Sequence, residues 1–291
     1  MINGSIVDLI TPICKDGSPD YDVLETLVEW HIENNSAALL IGSATAQSTE
    51  FDIDERGELL KRAIWQSDGR IPIIADLSAG NPEQVFDYAR TADEFGSGAM
   101  LLTLASHNFS TQEELIEYLR ELCTLVELPL ILRDDFSNAN ILSPKTLIKL
   151  SQIEGLLGFV NNSSHVTSES TIHVHDLPAN FSLYSGHDSN ACQLSLSGYR
   201  GGISIVANLA PSLVQDMFTA ALIGDQENAE VIDKNIQEIA EGLMEDPNSI
   251  PVMWALVEMG CIPEREIPPS LPQSSDYANL RRALRSAQIA I

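Results

Sequence analysis

The sequence predicts a (β/α)₈ barrel, because eight short apolar runs alternate with longer segments that mostly have helical periodicity. No Gly-x-Gly-x-x-Gly motif follows the first run, which disfavours an open dinucleotide-binding sheet. After about residue 226 the pattern is purely helical. We therefore expect residues 1–225 to form the barrel and residues 226–291 to form a helical extension of the same domain.

Each predicted strand is a short run rich in β-branched and large aliphatic residues. In chain order, the predicted strands are 5–11, 37–41, 71–75, 99–102, 130–132, 156–160, 181–184 and 203–206. Several predicted helices begin at N-terminal start motifs, namely Ser18-Pro19-Asp20, Asn81-Pro82-Glu83, the capping box Thr111–Glu114, and Ser143-Pro144. The segment after the sixth strand is polar and poorly periodic, and helices at 228–243, 252–259 and 277–289 complete the prediction.

Composition excludes several classes of function. The net charge of −26 with only 16 Lys and Arg disfavours binding to nucleic acids and to anionic membranes. No run approaches the ~18 apolar residues of a membrane span, and the N-terminus has no signal-peptide pattern, so we expect a cytoplasmic protein. The four cysteines are scattered and predict structural thiols, and the sequence indicates no cofactor and no metal site.

Functional residues of such a barrel lie at the C-terminal ends of its strands. Polar segments occupy these predicted ends, at 11–12, 42–48, 76–78, 103–108, 133–135, 160–162, 186–188 and at Asn208. The histidine and aspartate residues among them match no metal-ligand spacing, so solvated loops are favoured over a metal site; these residues are His107, Asp134, Asp135, His187 and Asp188. The segment His173–Asp176 is predicted to lie on the surface, and Trp30 and Trp254 are predicted to belong to the core.

Several of these segments resemble one known family over nearly the whole chain. The markers, in order, are Gly4–Val7 with Thr11-Pro12, Asp68–Ala75, Ser185–Asp188, Gly202–Ser204 with Ala207-Asn208, and Pro247–Val252. Together they resemble the dihydrodipicolinate synthase/N-acetylneuraminate lyase family of pyruvate-dependent aldolases. The resemblance implies a barrel fold, a dimer or tetramer of identical chains, and an active site at the barrel mouth.

The resemblance also implies a lysine on the sixth strand, whose amine forms a Schiff base with pyruvate. Val160 stands at the matching position, and a valine cannot form an imine. None of the five lysines is predicted to substitute for it, because Lys15 lies in a polar turn and Lys61, Lys145, Lys149 and Lys234 lie in helices.

Other positions that the resemblance implies are also changed. The carboxylate-binding motif becomes residues 43–48, in which Thr45 and Ser48 match. The fifth-strand tyrosine of the proton relay becomes Arg133, the tyrosine lent across the dimer interface becomes His107, and the arginine for the second substrate becomes Asn138. The implied catalytic positions are thus Thr45, His107, Arg133 and Val160, and the implied ligand-binding residues are Ala44, Thr45, Arg133, Asn138, Val160 and Ile203.

Three hypotheses follow. In the first, the chain is a family member without Schiff-base activity that binds a small carboxylate or keto acid. In the second, it is an active lyase or aldolase of altered mechanism that uses Arg133 and His107. In the third, it is a non-catalytic subunit of a mixed oligomer. Arg133 has two interpretations: its guanidinium binds a ligand carboxylate, or it pairs with Asp134, Asp135 or Asp188.

Overall fold

The structure is a computed structural model that describes residues 2–43, 51–78, 82–104, 109, 111–134, 143–162, 174–245, 249–263 and 277–291. Its centre is a closed barrel of eight parallel strands, in which each strand pairs with its neighbours in chain order and the eighth pairs with the first. This confirms the predicted fold class. The strands are β1 (Gly4–Asp8), β2 (Ala38–Ile41), β3 (Ile73–Asp76), β4 (Ala99–Thr103), β5 (Leu130–Arg133), β6 (Leu156–Asn161), β7 (Ser182–Ser185) and β8 (Gly201–Ser204).

Helices surround this barrel. They are α1 (Tyr21–Glu33), α2 (Ile53–Ser67), α3 (Pro82–Phe95), α4 (Gln112–Leu125), α5 (Pro144–Leu150), α6 (Asp188–Leu196), α7 (Pro211–Leu222), α8 (Gln226–Leu243), α9 (Ile250–Glu258) and α10 (Ala278–Ser286). In the described segment before β7, a short 3₁₀ helix spans Val174–Asp176. The chain after residue 225 is helical over most of its described part, and α8 packs against α7 and α10. No helix of the described residues is long and apolar enough to cross a membrane.

Side-chain caps define several helix starts. Thr111 Oγ1 accepts a hydrogen bond from Glu114 N at 3.1 Å, which confirms the predicted start of α4. The sequence prediction missed a complete capping box at the start of α2, where Asp52 and Glu55 each accept from the other's backbone N–H.

Two strand boundaries differ from prediction, with consequences for the site. Strand β1 was predicted to run to residue 11 but ends at Asp8. Strand β8 was predicted at 203–206 but begins at Gly201. Glycine is disfavoured in strands, so the two glycines at its start gave no strand signal in the sequence. Glycine is required there because a Cβ on Gly201 would lie 2.1 Å from the carbonyl oxygen of Gly4 on β1. The barrel therefore closes through a contact that only glycine permits.

The barrel interior is packed in layers of four side chains from alternate strands, as in other barrels of this kind. The strand register places Ile6, Ile74, Ile131 and Tyr184 of the odd-numbered strands at one height. The next layer towards the C-terminal ends of the strands comes from the even-numbered strands, and consists of Leu40, Leu101, Val160 and Ile203. All eight side chains are buried.

A second, larger core fills the space between the barrel and the helices. Trp30 and Trp254 pack against it while remaining partly exposed, in agreement with their prediction as core residues. All four cysteines are free thiols, as expected. His175 and Asp176 are exposed, as the surface prediction for that segment requires, while His173 lies outside the described residues.

His31 of α1 is an ionisable side chain within this outer core. It is fully buried, its Nδ1 lies 3.0 Å from Ser36 Oγ, and its Nε2 has no hydrogen-bond partner among the described residues. Burial lowers the pKa of His31 to about 3, because a charged imidazolium would lose its hydration there.

We expect this histidine to make the protein less stable in mild acid. Below pH 6.5 His31 becomes protonated in the unfolded chain, whereas in the folded chain it stays neutral until about pH 3. The free energy of unfolding therefore falls as pH falls through this window. Between pH 7 and pH 5 the loss from this one group is about 2 kcal/mol. Urea unfolding at both pH values measures it, and His31→Asn should lose less stability over that interval than the parent. The exposed-site control His175→Asn should behave like the parent; equal losses in the parent and His31→Asn would contradict the prediction.

Candidate functional site

The barrel mouth is lined by a charged layer. Side chains alternate along each strand, so the residues two positions beyond the inward-facing Ile6, Ile74 and Ile131 also face inward. These residues, with the equivalent position after β7, are Asp8, Asp76, Arg133 and Gly186. Directly beneath them lies the aliphatic layer that contains Val160. The mouth thus has an apolar floor and a charged wall.

Arg133 is held in this wall by an ion pair with Asp76. The Nη2 atom of Arg133 donates to Asp76 Oδ2 at 3.2 Å, and the two side chains are only 12% and 1% exposed. The Nε atom donates to Thr103 Oγ1 at 2.8 Å. Because the pair is largely removed from water, its charges interact far more strongly than those of a surface pair.

The ion pair is part of a closed circuit of hydrogen bonds. Thr103 N donates to Ser78 Oγ at 2.9 Å, and Ser78 N donates to Asp76 Oδ1 at 2.8 Å. With the two bonds of Arg133, the circuit joins the C-terminal ends of three neighbouring strands, β3, β4 and β5. The circuit fixes the position of the guanidinium at the mouth.

Further polar contacts hold the remaining walls. Ser43, which follows β2, donates its hydroxyl to Asp8 Oδ1. Arg56 of α2 donates to the carbonyl oxygen of Asp76 at 2.8 Å and lies over the ring of Tyr88, 4.9 Å from its centroid. The charge of Arg56 is therefore directed at the backbone of β3.

The corner of the layer at β7 has no side chain of its own. A Cβ on Gly186 would lie 2.4 Å from Oδ1 of Asn162, so the amide of Asn162 takes this space. His187 Nε2 lies 2.8 Å from the carbonyl oxygen of Asn162 and fixes this residue from the other side.

Arg133 has a different structural partner from those expected. Asp134 is the first residue after β5, where the alternation of the strand directs its side chain away from that of Arg133, and Asp135 lies outside the described residues. Asp188 is engaged elsewhere: it accepts from Ser204 Oγ at 2.5 Å and from the backbone N–H groups of residues 205 and 206. Burial raises the pKa of Asp188 although these hydrogen bonds oppose the shift. The expected pairing with Asp134 or Asp188 was wrong, because Asp76 on the neighbouring odd strand reaches Arg133 at the same height.

The other predicted site residues divide into two groups. Val160 and Ile203 both lie in the aliphatic floor, where Val160 is fully buried and Ile203 is 6% exposed. Ala44, Thr45, His107 and Asn138 lie outside the described residues. Of the predicted ligand-binding set, the structure therefore brings together Arg133, Val160 and Ile203.

All five lysines lie in the described part of the chain, and none is on a strand. Lys15 is exposed in the turn after β1. The others lie on α2, α5 and α8, and Lys61 forms an ion pair with Glu58 at 3.4 Å on the outer surface. All five lysines therefore start from a turn or from outer helices.

Sequence analysis missed Asp8 and Asp76 as partners in this site. Asp8 was assigned to the middle of a longer strand, and Asp76 was noted only as part of a strand end. The alternation of side chains along each strand could have identified them. A charged residue follows two positions after an inward-facing isoleucine in three strands, at Ile6-Val7-Asp8, Ile74-Ala75-Asp76 and Ile131-Leu132-Arg133.

The described residues also line a cavity of about 570 Å³ at the opposite end of the barrel. It lies among Phe181 before β7, Leu196 at the end of α6 and Ile223 after α7. Its described lining is mainly apolar and includes no carboxylate or lysine. Within the described residues, no three His, Cys, Asp or Glu side chains form a group that could hold a metal ion.

Comparison with known proteins agrees with this architecture. The model of the dihydrodipicolinate synthetase family matches residues 1–287. The chain belongs to this family. The 4-hydroxy-tetrahydrodipicolinate synthase of Methylococcus capsulatus is 35% identical over 291 residues, covering 99% of this chain and 100% of that protein. The enzyme of the same name from Nitrosococcus oceani is 34% identical over 99% of both chains.

Solved structures give the same result. The chloride-inhibited dihydrodipicolinate synthase of Acinetobacter baumannii, crystallised with pyruvate, superimposes with a TM-score of 0.90 at 33% identity. The match covers 99% of this chain and 100% of that one. Dihydrodipicolinate synthase from Aquifex aeolicus gives a TM-score of 0.89 at 29% identity, over 99% of both chains.

We expect the two partners of the buried ion pair to depend on each other. Arg133→Met leaves the carboxylate of Asp76 buried without its counter-ion and should lower the free energy of unfolding by roughly 3 kcal/mol. The double variant Asp76→Asn/Arg133→Met removes both charges and should recover a large part of that loss. Urea unfolding of the two variants and the parent measures the difference. As a control, Arg62→Met removes an arginine that pairs with Glu25 and Glu58 on the surface, and should cost less than about 1 kcal/mol. A double variant as unstable as Arg133→Met would show that the pair is not coupled.

Proposed function

We propose that this member of the dihydrodipicolinate synthetase family does not form a Schiff base with pyruvate and instead binds a small molecule non-covalently at its barrel mouth. The observation that carries the first half is the position of Val160. Its side chain lies inside the barrel on β6, fully buried, and completes an aliphatic layer with Leu40, Leu101 and Ile203.

An imine requires a neutral amine within bonding distance of the carbonyl carbon of the substrate. Four of the five lysines are exposed at the surface, and Lys61 lies half-buried on an outer helix. No lysine side chain therefore reaches the floor or wall of the mouth, which supports loss of the Schiff-base step.

The fifth strand supports the same proposal. Arg133 stands where the resemblance implies a tyrosine that relays protons. A guanidinium stays protonated throughout the physiological range and has no lone pair to accept a proton, so it cannot act as a general acid and base. The charged wall thus provides binding and positioning, and its described residues provide no proton relay at this position.

A small carboxylate or keto acid is the ligand that the sequence suggests. Arg133 supports this ligand. A guanidinium has five N–H donors, and the described residues accept hydrogen bonds from its Nε and Nη2 atoms only, so further donors are left for a carboxylate. The carboxylate of Asp76 already uses part of this guanidinium, so a ligand carboxylate would have to share it. Titration of pyruvate into the parent protein and Arg133→Ala tests the idea, and equal affinities would reject it.

An active lyase of altered mechanism is the second candidate. The observation in its favour is that the relatives at 34–35% identity are named 4-hydroxy-tetrahydrodipicolinate synthases. Its second residue, His107, lies outside the described residues. A homodimer, a homotetramer or a mixed oligomer stays a prediction from the resemblance, and co-purification with a lysine-bearing relative would favour the mixed oligomer.

We expect no covalent pyruvate adduct. Protein incubated with pyruvate and sodium borohydride should keep its unmodified mass, because no amine of the barrel interior is available to form the imine that borohydride reduces. Intact-mass spectrometry checks this, with a family member that carries the sixth-strand lysine as the positive control. A stoichiometric adduct of one reduced pyruvyl group would overturn the proposal.

Restoring the amine alone should not restore turnover. In Val160→Lys the new side chain starts from the floor layer, directly below the Arg133 wall. The proton-transfer step still lacks its relay, so condensation of pyruvate with an aldehyde should stay at the background rate. A coupled assay for aldehyde consumption measures this, and catalysis within about tenfold of a lysine-bearing relative would show that the other changes matter little.

A further inference from the structure

The cavity at the N-terminal end of the barrel is separate from the mouth. It lies between the barrel wall and helices α6 and α7, beside the loops that lead into β7 and β8. Its volume of about 570 Å³ is that of a small-molecule pocket, for which roughly 300–1,000 Å³ is usual. Phe181 and Leu183 are buried in its wall, whereas Leu222 and Ile223 are exposed at its rim. The cavity therefore has an apolar interior that solvent can reach.

One positive charge lies in this apolar lining. Arg200 precedes β8, and its backbone is fixed on both sides: its N–H donates to the carbonyl oxygen of Leu183 at 2.9 Å, and its carbonyl oxygen accepts from Gly4 N at 2.8 Å. The partly exposed guanidinium makes one long hydrogen bond, from Nη2 to the carbonyl oxygen of Ala179 at 3.4 Å, and no ion pair with a described residue. Most of its five N–H donors are therefore available to a ligand.

A second polar group in the lining also lacks a partner. Ser195 of α6 is 3% exposed, and its Oγ forms no hydrogen bond with any described residue. A hydroxyl that is buried in this way carries a desolvation cost, which a ligand that accepts its hydrogen bond would remove. The guanidinium of Arg200 and the hydroxyl of Ser195 are both donors, and a carboxylate is an acceptor that suits both.

The charge of the lining favours an anion over a cation. The chain has 42 Asp and Glu, but none of them belongs to the described lining, where Arg200 is the one charged residue. An anion beside the guanidinium would be partly shielded from water, which strengthens their attraction. An inorganic anion would leave the apolar walls uncovered, whereas an attached hydrocarbon group would remove them from water.

We propose that this cavity is a binding site for a small amphipathic monocarboxylate. The carboxylate pairs with Arg200, and the hydrocarbon group lies against Phe181, Leu183 and Leu196. The site shares no residue with the charged layer of the mouth, so it is independent of the function proposed for Arg133.

The test compares three probes that share a six-carbon chain and differ in charge. Hexanoate, 1-hexanol and hexylammonium are titrated into the full-length protein at about 0.15 M salt, which screens distant charges. Calorimetry measures the dissociation constants. We expect hexanoate to bind about tenfold more tightly than 1-hexanol, and hexylammonium to bind more weakly than either. Acetate should bind at least about tenfold more weakly than hexanoate, because each buried methylene contributes roughly threefold in affinity.

Variants of the cavity should separate the charge from the apolar walls. Arg200→Met should weaken hexanoate about tenfold and leave 1-hexanol unchanged, because it removes the charge and keeps a long apolar side chain. Ile223→Asp adds a negative charge at the exposed rim, and should weaken hexanoate and strengthen hexylammonium by about threefold each. The matched controls Arg90→Met and Val231→Asp make the same changes of charge at exposed positions outside the lining, and should alter none of these affinities.

The opposite signs expected for the two charged probes in Ile223→Asp distinguish recognition of charge from damage to the fold, since a loosened site would lose affinity for both. Thermal melts confirm that each variant is folded, and either cavity variant alone is sufficient if the other unfolds. Equal affinities of the parent for hexanoate and hexylammonium would overturn the inference. Unchanged hexanoate binding in a folded Arg200→Met would do the same.

Two further outcomes would assign the cavity or the ligand differently. Hexanoate binding that falls in a folded Arg133→Ala but not in Arg200→Met would place the acid at the mouth and overturn the inference. Analytical ultracentrifugation of the parent and Ile223→Asp tests whether a second copy of the chain occupies the rim. Dissociation of an oligomer in Ile223→Asp, together with no hexanoate binding by the parent, would show that the cavity is a contact between copies, and the inference would be wrong.

Discussion

The register of the closed barrel is the constraint on which the rest of this structure depends. Parallel strands that tilt around a common axis bring inward-facing side chains from alternate strands to the same height. A residue is therefore a neighbour of one that is two strands away, as Asp76 on β3 is of Arg133 on β5. The chemistry of the mouth follows from the composition of single layers.

Two successive layers define what this mouth can do. The lower layer is wholly aliphatic, and Val160 is buried within it and has no reactive group. The upper layer is charged, and its guanidinium is balanced by a carboxylate within the protein. Among the described residues of these two layers there is no lysine amine, and the proposed loss of Schiff-base chemistry rests on this observation.

Much of the fold could be predicted from the sequence. The alternation of apolar runs and amphipathic segments gave the number and order of strands, because burial on both faces produces nearly continuous apolar strands in a parallel barrel. The start of α4 followed from local chemistry at Thr111. The start of strand β8 was predicted two residues too late. The reason is that Gly201 is required by a close contact with the backbone of β1, which local strand propensity does not reflect.

The site was less predictable, for a physical reason. The sequence identified Val160 and Arg133 as single positions, and it placed four lysines on helices outside the barrel and Lys15 in a polar turn after the first strand. It could not identify the partner of Arg133, because that depends on which strands share a height. Asp134 is adjacent in sequence but faces away, whereas Asp76 is 57 residues distant and in contact. Ala44, Thr45, His107 and Asn138 lie outside the described residues, so their roles stay predictions.

The circuit through Thr103, Ser78, Asp76 and Arg133 has a mechanical consequence. It is a closed ring of bonds across the ends of three strands, so its members share strain. A molecule that pulls the guanidinium by a fraction of an ångström would load β3, β4 and β5 together. A ligand that displaces the guanidinium would therefore shift the C-terminal ends of these three strands together.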